Sequence, residues 1–464
     1  MARFCLQWNI GSNRNLAMAF AKETGQGRSG TIIERSELPA KVKNSRILIL
    51  GGTGKVGGST ALALSKFCPD LRIIIGGRNR DKGKAMVNKL GNNAEFFEVD
   101  INDSKSLEEA LQDVDLVVHT AGPFLQAEKC SVLEAAIQNK TAYLDVCDDT
   151  SYAQRAKSYM KRALDANVPA ITTGGICPGD ILFSFHTLSF LHYFTVMAAE
   201  LVRAATSESK CEPQRLRFYY YAAGSGGAGP AMLLNSILLL GEEVVAYDKG
   251  SLTDHAYFFI HYFLLLKSDR GYPTGEKIEL KPYSGMLNID FGQGIGKKDV
   301  FLLNLPEVRS IHKVLGVPTV SARFGTAPFF WNWGMTAMTY LLPPEALRDR
   351  RKAHQLVQLL DPLVRAVDGF TGETVSIRVD LDCSDGRTRV GIFSHKKLSE
   401  SVGISTAAFV LAILEGSTQP GVWFPEEPEG ISMEARETLL SRASQGTTNF
   451  VMNMAPWMVE TIYV

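Results

Sequence analysis

The residues best suited to chemistry lie near the start of the chain. Gly51-Gly52-Thr53-Gly54-Lys55-Val56-Gly57-Gly58 contains G-x-G-x-x-G at Gly52, Gly54 and Gly57. That spacing serves a pyrophosphate. Gly52 permits a tight turn, Gly54 lets the backbone approach the anion, and Gly57 lets a helix pack closely on a strand. The amides that open the helix, around Thr53, Lys55 and Val56, would face the phosphates. A tight strand-to-helix turn without a ligand is the plain alternative.

Further on, Gly76-Gly77-Arg78-Asn79-Arg80-Asp81-Lys82 has no carboxylate where an NAD ribose would need one. Arg78 and Arg80, with Asn79 between them, could instead pair with a 2′-phosphate, so the segment favours NADP(H) over NAD(H). Solvated loop charge is the other reading of these residues. Asp100 could reach the adenine edge with Ile101 packing on the ring, although helix capping suits Asp100 and Asp103 as well. Ala121-Gly122-Pro123-Phe124 supplies the small backbone that must lie along a cofactor.

Catalytic residues are less clearly marked. Tyr143, Asp145, Cys147, Asp148 and Asp149 cluster where a nicotinamide would lie. Hydride transfer needs orientation and usually one proton donor or acceptor, for which Tyr143 or Asp145 could serve. Turn and capping roles explain the same acidic run. His395 with Lys396 and Lys397 is a remote candidate. Gly224, Ser225, Gly226 and Gly227 precede a helical run at Ala231–Val245; they suit either an anion nest for a substrate carboxylate or simple helix entry through Pro230. Arg323–Gly334 (RFGTAPFFWNWG) is aromatic enough for a substrate pocket, a subunit interface or core packing, the last being favoured. No Ser/His/Asp or H-E-x-x-H arrangement appears, and no metal site is expected.

The elements that must position these residues alternate. Apolar runs at Arg46–Leu50, Leu71–Ile75, Ala94–Val99, Val114–His119, Ala142–Val146 and Val168–Thr172 read as strands. Helical patterns fall between them, at Lys55–Phe67, Lys105–Gln112, Cys130–Asn139 and Ser151–Asn167. Such alternation predicts a doubly wound, Rossmann-type parallel sheet covered on both faces, over residues 45–179. Residues 196–455 read as a second, mixed α/β domain for substrate or dimerisation. Its strands are expected at Leu216–Ala222, Val300–Asn304, Thr374–Leu381 and Val390–Phe393. The apolar helix Thr406–Leu414 is expected to be buried and to pack back on the first domain.

Composition narrows the function classes. The 464 residues carry 49 Lys+Arg against 49 Asp+Glu, so the basic excess of a nucleic-acid binder is missing. Seven scattered cysteines without a C-x-x-C pair point to a reducing compartment and no disulfide framework. Residues 1–44 hold seven basic and three acidic residues and no apolar signal core, so they read as a disordered extension or a transit segment.

GGTGKVGG, GGRNRDKG, VDIND, HTAGPF and YLDVCDDTSY, in this order, resemble the saccharopine dehydrogenase-like (saccharopine reductase-like) NADP-binding family. FYYYAAGSGGAGP, RFGTAPFFWNWG and GSTQPGVWFPEEP resemble its plant and bacterial branch. The resemblance spans about residues 45–455. It implies a Rossmann domain, a second α/β domain and nicotinamide-linked oxidoreductase chemistry on amine or amino-acid substrates. It also places Gly52, Gly54, Gly57, Arg78, Asp100, Ala121 and Gly122 at cofactor positions, and plant members in plastids.

Two segments depart from that branch. Asp180–Thr195 interrupts the passage from Gly179 to Val196, and Ser251–Thr274 interrupts a single strand–turn unit. Together they hold four of the eight histidines and eleven of the 43 aromatics, so the irregularity is local. Such residues arise when thymine-rich nucleotide sequence is read as codons, and both segments read as retained introns. The rival reading is a pair of membrane-docking or partner-binding elements. A transmembrane helix is not expected, since His186 and His192 break the first run and the second is too short.

Three functions therefore stay open. The leading one is an NADP-dependent oxidoreductase of a small amino- or carboxyl-bearing molecule, compatible with a homodimer. The others are a non-catalytic NADP-binding regulator or scaffold, and a membrane-associated protein using the aromatic segments.

Overall fold

The computed structural model describes residues 40–122, 124, 127, 129–147, 150–174, 192–208, 210–224, 229–248, 276–305 and 307–460. Six strands open the first sheet: β1 (Arg46–Leu50), β2 (Arg72–Gly77), β3 (Ala94–Glu98), β4 (Leu116–His119), β5 (Ala142–Asp145) and β6 (Pro169–Ile171). All pair in parallel, and helices connect them. Ile47–Leu50 of β1 are wholly buried, as expected of a central strand covered on both faces. The chain leaves β3 at one edge and returns to β4 on the other side of β1. This reversal opens a crevice at the carboxyl ends of β1 and β4, where ligands of such sheets bind.

The remaining strands are β7 (Pro213–Ala223), β8 (Val244–Asp248), β9 (Glu276–Leu280), β10 (Leu287–Asp290), β11 (Lys297–Leu302), β12 (Thr319–Ala327), β13 (Thr374–Cys383), β14 (Thr388–His395), β15 (Gly421–Trp423) and β16 (Asn449–Met454). Nine of them form a mixed sheet whose main path runs β10-β11-β12-β7-β13-β14-β16, with β8 and β9 attached through β12. β12 and β7 are parallel, whereas β7, β13 and β14 are successively antiparallel.

β15 does not belong to the second sheet. It lies parallel to β6 with Val422 opposite Ala170, so the first sheet has order β15-β6-β5-β4-β1-β2-β3. The helix Leu398–Leu414 also returns to the first sheet and runs against Lys55–Phe67. The approach is close: a Cβ on Gly403 would stand 2.4 Å from Ser59 Cβ and 2.7 Å from the Thr60 amide nitrogen. Only a residue without a side chain fits that crossing.

One sequence expectation needs correction here. The helical run placed at Ala231–Val245 is a helix only at Gly229–Leu240. Gly241 follows it against Arg348 and Pro344, and β8 begins at Val244. The end of the first aromatic segment is helical, since a helix starts at His192 and runs to Arg203. Phe194 within it is wholly buried, with its ring 5.4 Å from that of Phe393, and the Thr195 hydroxyl donates to Glu426 at 2.9 Å. Those residues pack as core. Residues 180–191 and 251–274 lie outside the described residues.

The second segment is nonetheless framed. β8 and β9 pair antiparallel, with Asp248 opposite Glu276, so residues 249–275 connect two arms that already meet. Among the described residues, no helix is long and apolar enough to cross a membrane.

Candidate cofactor site

β1 ends at Leu50, and the chain turns at once. Gly51 adopts φ +78°, the left-handed region that a side chain disfavours, and its amide donates to Gly76 O at 2.9 Å. A Cβ there would meet the Ala121 backbone at 2.9 Å. A Cβ on Gly57 would lie 2.5 Å from both Gly51 O and Thr120 Oγ1. Neither obstacle moves easily: Gly51 O accepts from the Gly54 amide at 2.8 Å, and Thr120 donates to Leu50 O at 2.6 Å. The loop from Gly51 to Gly57 is thereby held tightly against the end of β4.

The helix Lys55–Phe67 starts at Gly54, and no side chain caps it. Amides of a helical first turn lack intrahelical partners and favour an anion. A glycine cradle beneath an uncapped helix start at the sheet's reversal point fits a dinucleotide pyrophosphate. Gly52 sits under Ile49 O and Ile75, Thr53 lies beside Gly77 at the end of β2, and Val56 is buried. Arg78, Asn79 and Arg80 follow Gly77 and are all exposed. Asn79 caps the next helix, its Oδ1 accepting from the Lys82 amide at 2.9 Å. Arg78 and Arg80 are the first two charged residues after β2.

Asp100 and Ile101 are half-buried at the end of β3. Asp100 Oδ1 accepts from the Asn102 backbone and side chain, at 3.0 and 3.1 Å. Asp103, not Asp100, caps the helix Ser104–Ala110. Ala121 and Gly122 are half-buried along the crevice, while Pro123 lies outside the described residues.

Tyr143 and Asp145 are brought together, but in the interior. Both are wholly buried. Asp145 Oδ2 accepts from Tyr143 Oη and Thr172 Oγ1, each at 2.9 Å. Its Oδ1 accepts from the amides of Cys147 and Thr173 at 2.9 and 2.7 Å. Tyr152 Oη stands 3.2 Å from Tyr143 Oη. Burial raises the Asp145 carboxyl above its ordinary range although four donors act to lower it. Burial, followed by the Asp145 charge, holds the Tyr143 phenol well above its usual value. The geometry makes the pair a tie between β5 and the exit of β6, with its oxygens turned inward. Asp148 and Asp149 lie outside the described residues.

His119, the last residue of β4, is a further polar group at this end of the sheet and was not a sequence candidate. Its ring is buried, lies 4.6 Å from Phe124, and leaves Nδ1 without a partner among the described residues. Burial lowers its pKa to about 3, so it is a neutral imidazole at the crevice wall. The first letter of HTAGPF was the only signal. Gly51 and Thr120 were likewise legible only as neighbours of the motif.

The second-domain candidates divide. Gly224 closes β7 at φ +71°, with Gly372 O 2.5 Å from where a Cβ would stand, so it serves a close backbone approach. Ser225, Gly226 and Gly227 lie outside the described residues. His395 is buried and accepts at Nδ1 from the Lys397 amide at 3.0 Å. Core packing fails for the aromatics of RFGTAPFFWNWG: Phe329, Phe330 and Trp333 are 61%, 41% and 65% exposed. Their helix, Phe329–Leu341, packs inward through Asn332 and Met335 instead.

The family described as saccharopine dehydrogenase NADP binding domain matches residues 47–173. No curated protein matches the chain. Among solved structures, the chain is similar to saccharopine dehydrogenase (L-Glu forming) from Saccharomyces cerevisiae. The TM-score is 0.57 at 13% identity, over 89% of this chain and 99% of that one, which establishes a shared fold. A 3-hydroxyacyl-CoA dehydrogenase type-2 from Mycobacterium avium covers 29% of this chain, with a TM-score of 0.24 at 16% identity.

Proposed function

We propose that the chain, whose residues 47–173 match the saccharopine dehydrogenase NADP binding domain, is an NADP-dependent oxidoreductase acting on a small amino- or carboxyl-bearing substrate. One observation carries the reading: the glycine cradle and uncapped helix start at the reversal of the first sheet, beside a β2 end that offers arginines and no carboxylate. In that arrangement the helix amides hold the pyrophosphate, and Arg78 with Arg80 pairs with the 2′-phosphate. A nicotinamide cofactor supplies hydride transfer when bound. The backbone at Ala121 and Gly122 orients it, and the buried Tyr143–Asp145–Thr172 tie keeps the neighbouring strand ends in place.

The proposal is tested by following NADPH oxidation with imines and keto acid–amine pairs, and NADP⁺ reduction with amino acids. Turnover that depends on one substrate class supports it. Tight NADPH binding with no turnover across both sets would favour the regulator or scaffold.

A further inference from the structure

The seven cysteines form no ligand pattern along the chain, but the second sheet brings two of them together. Cys211 immediately precedes β7, and Cys383 is the last residue of β13. These antiparallel strands place Cys383 opposite Pro213, across a register shift at Asp382/Cys383. The turn beyond Cys383 contributes Asp385. The two Sγ atoms and one Asp385 carboxylate oxygen all lie within 4.8 Å of one another. The cluster sits at the opposite end of β7 from Gly224 and is independent of the cofactor crevice.

The local backbone fixes this arrangement. The Ser384 amide donates to Glu212 O at 2.9 Å, and the Glu212 amide donates to Ser384 Oγ at 3.1 Å. Cys383 is joined to Arg387 by its own amide at 2.9 Å, and Gly386 takes φ +77° in the turn. Both thiols are buried, whereas Ser384 and Asp385 are exposed, so the group has an interior half and an open side.

We propose that Cys211, Cys383 and Asp385 bind one zinc-class divalent cation, with the fourth position open to water. Two thiolates and a carboxylate form a ligand set for a borderline-soft, tetrahedral ion. Zn–S bonds of about 2.3 Å set tetrahedral ligand separations of roughly 3.8 Å. Closing from 4.8 Å or less to that separation is within reach of side-chain rotation at the exposed Asp385.

Charge is handled nearby. Arg387 Nε lies 3.5 Å from Asp385 Oδ2, and the Arg389 charge acts on Cys383. Without an ion, burial pushes the Cys383 thiol up to about 12, and binding at that sulfur releases its proton to solvent. A disulfide between the same sulfurs would leave Asp385 without a part in the cluster; the third converging ligand is what points to a cation.

Cobalt(II) tests the assignment in the full chain, stripped with a chelator and kept reduced. The expected result is one Co²⁺ per chain, with thiolate-to-cobalt charge-transfer and tetrahedral d–d absorption displaced by Zn²⁺. Cys211→Ser and Cys383→Ser should each abolish the two-thiolate spectrum. The exposed Asp385→Asn change leaves the buried thiols intact, and should weaken binding by at least the roughly 10-fold that even outer-shell losses cause. Absence of charge-transfer absorption in the unsubstituted chain, or an unchanged spectrum in Cys211→Ser, would overturn the proposal. So would undiminished cobalt affinity in Asp385→Asn.

Discussion

Replacing Gly57 by alanine tests the cradle with a single methyl group. The new Cβ would stand 2.5 Å from Gly51 O and Thr120 Oγ1 and 2.8 Å from Gly52 Cα, whereas ordinary contacts begin at 3.4 Å. Both oxygens are hydrogen-bonded in place, so the helix Lys55–Phe67 must retreat by about 0.9 Å, and overpacking of this kind costs about 1–3 kcal/mol. The same retreat moves the first-turn amides off the pyrophosphate. Misplacement on the order of 1 Å can cost a catalytic site about 100-fold, so NADPH affinity should fall by roughly 10- to 100-fold. In free energy that is about 1.4–2.8 kcal/mol.

Fluorescence titration with NADPH measures the effect, alongside thermal unfolding. Gly334→Ala is the control, because its Cβ would meet nothing within 4 Å on an exposed helical position. It should leave affinity unchanged and stabilise by about 0.5–1 kcal/mol. An unaltered NADPH affinity in Gly57→Ala would refute the claim that this loop holds the cofactor.

Glu307 offers a pH test. It is wholly buried, and burial raises its carboxyl from 4.5 to about 8, with the Glu426 charge acting in the same direction. Between those values the folded chain keeps a proton that the unfolded chain has lost. Stability therefore falls as pH rises, by up to about 1.4 kcal/mol per pH unit from this group. Denaturant unfolding of Glu307→Gln should lack that slope; an identical pH profile would refute the assignment.

Gly403→Leu should lower the unfolding midpoint measurably, since its Cβ alone would stand 2.4 Å from Ser59 Cβ; an unchanged midpoint would show that the two helices do not cross this closely. Removal of residues 251–274 joins β8 to β9 through Lys249, Gly250 and Gly275, a hairpin loop of ordinary length. NADPH affinity and the unfolding midpoint should survive that deletion. Their loss would show that the segment belongs to the fold.

The first sheet was legible because its strands are short apolar runs between amphipathic helices, and Arg46–Leu50 leading into Gly51–Gly58 left little freedom. The second sheet was less so. β7 and β13 place arginines among their apolar residues, and β10 is only four residues long between two turns. β15 is three residues long and gains its place from Pro169–Ile171, far away in sequence.

The surroundings of the candidate residues were hidden for a related reason. Tyr143 and Asp145 were suited in type to catalysis, but Thr172 and Thr173, which consume the carboxylate, are brought in by the fold. The meeting of Cys211 and Cys383 depends on strand pairing and has no local signature. Phe329 and Trp333 read as core by composition, and only the direction of their helix leaves them exposed.

The account rests on NADP(H) binding with the 2′-phosphate at the end of β2. The most direct measurement compares NADPH and NADH affinity in the unsubstituted chain and in Arg78→Ala/Arg80→Ala. The prediction is tighter NADPH binding, by about 10-fold or more for a charge-assisted pair of roughly 1.5–3 kcal/mol, with the preference lost in the double variant. Equal affinity for the two cofactors in the unsubstituted chain would contradict it.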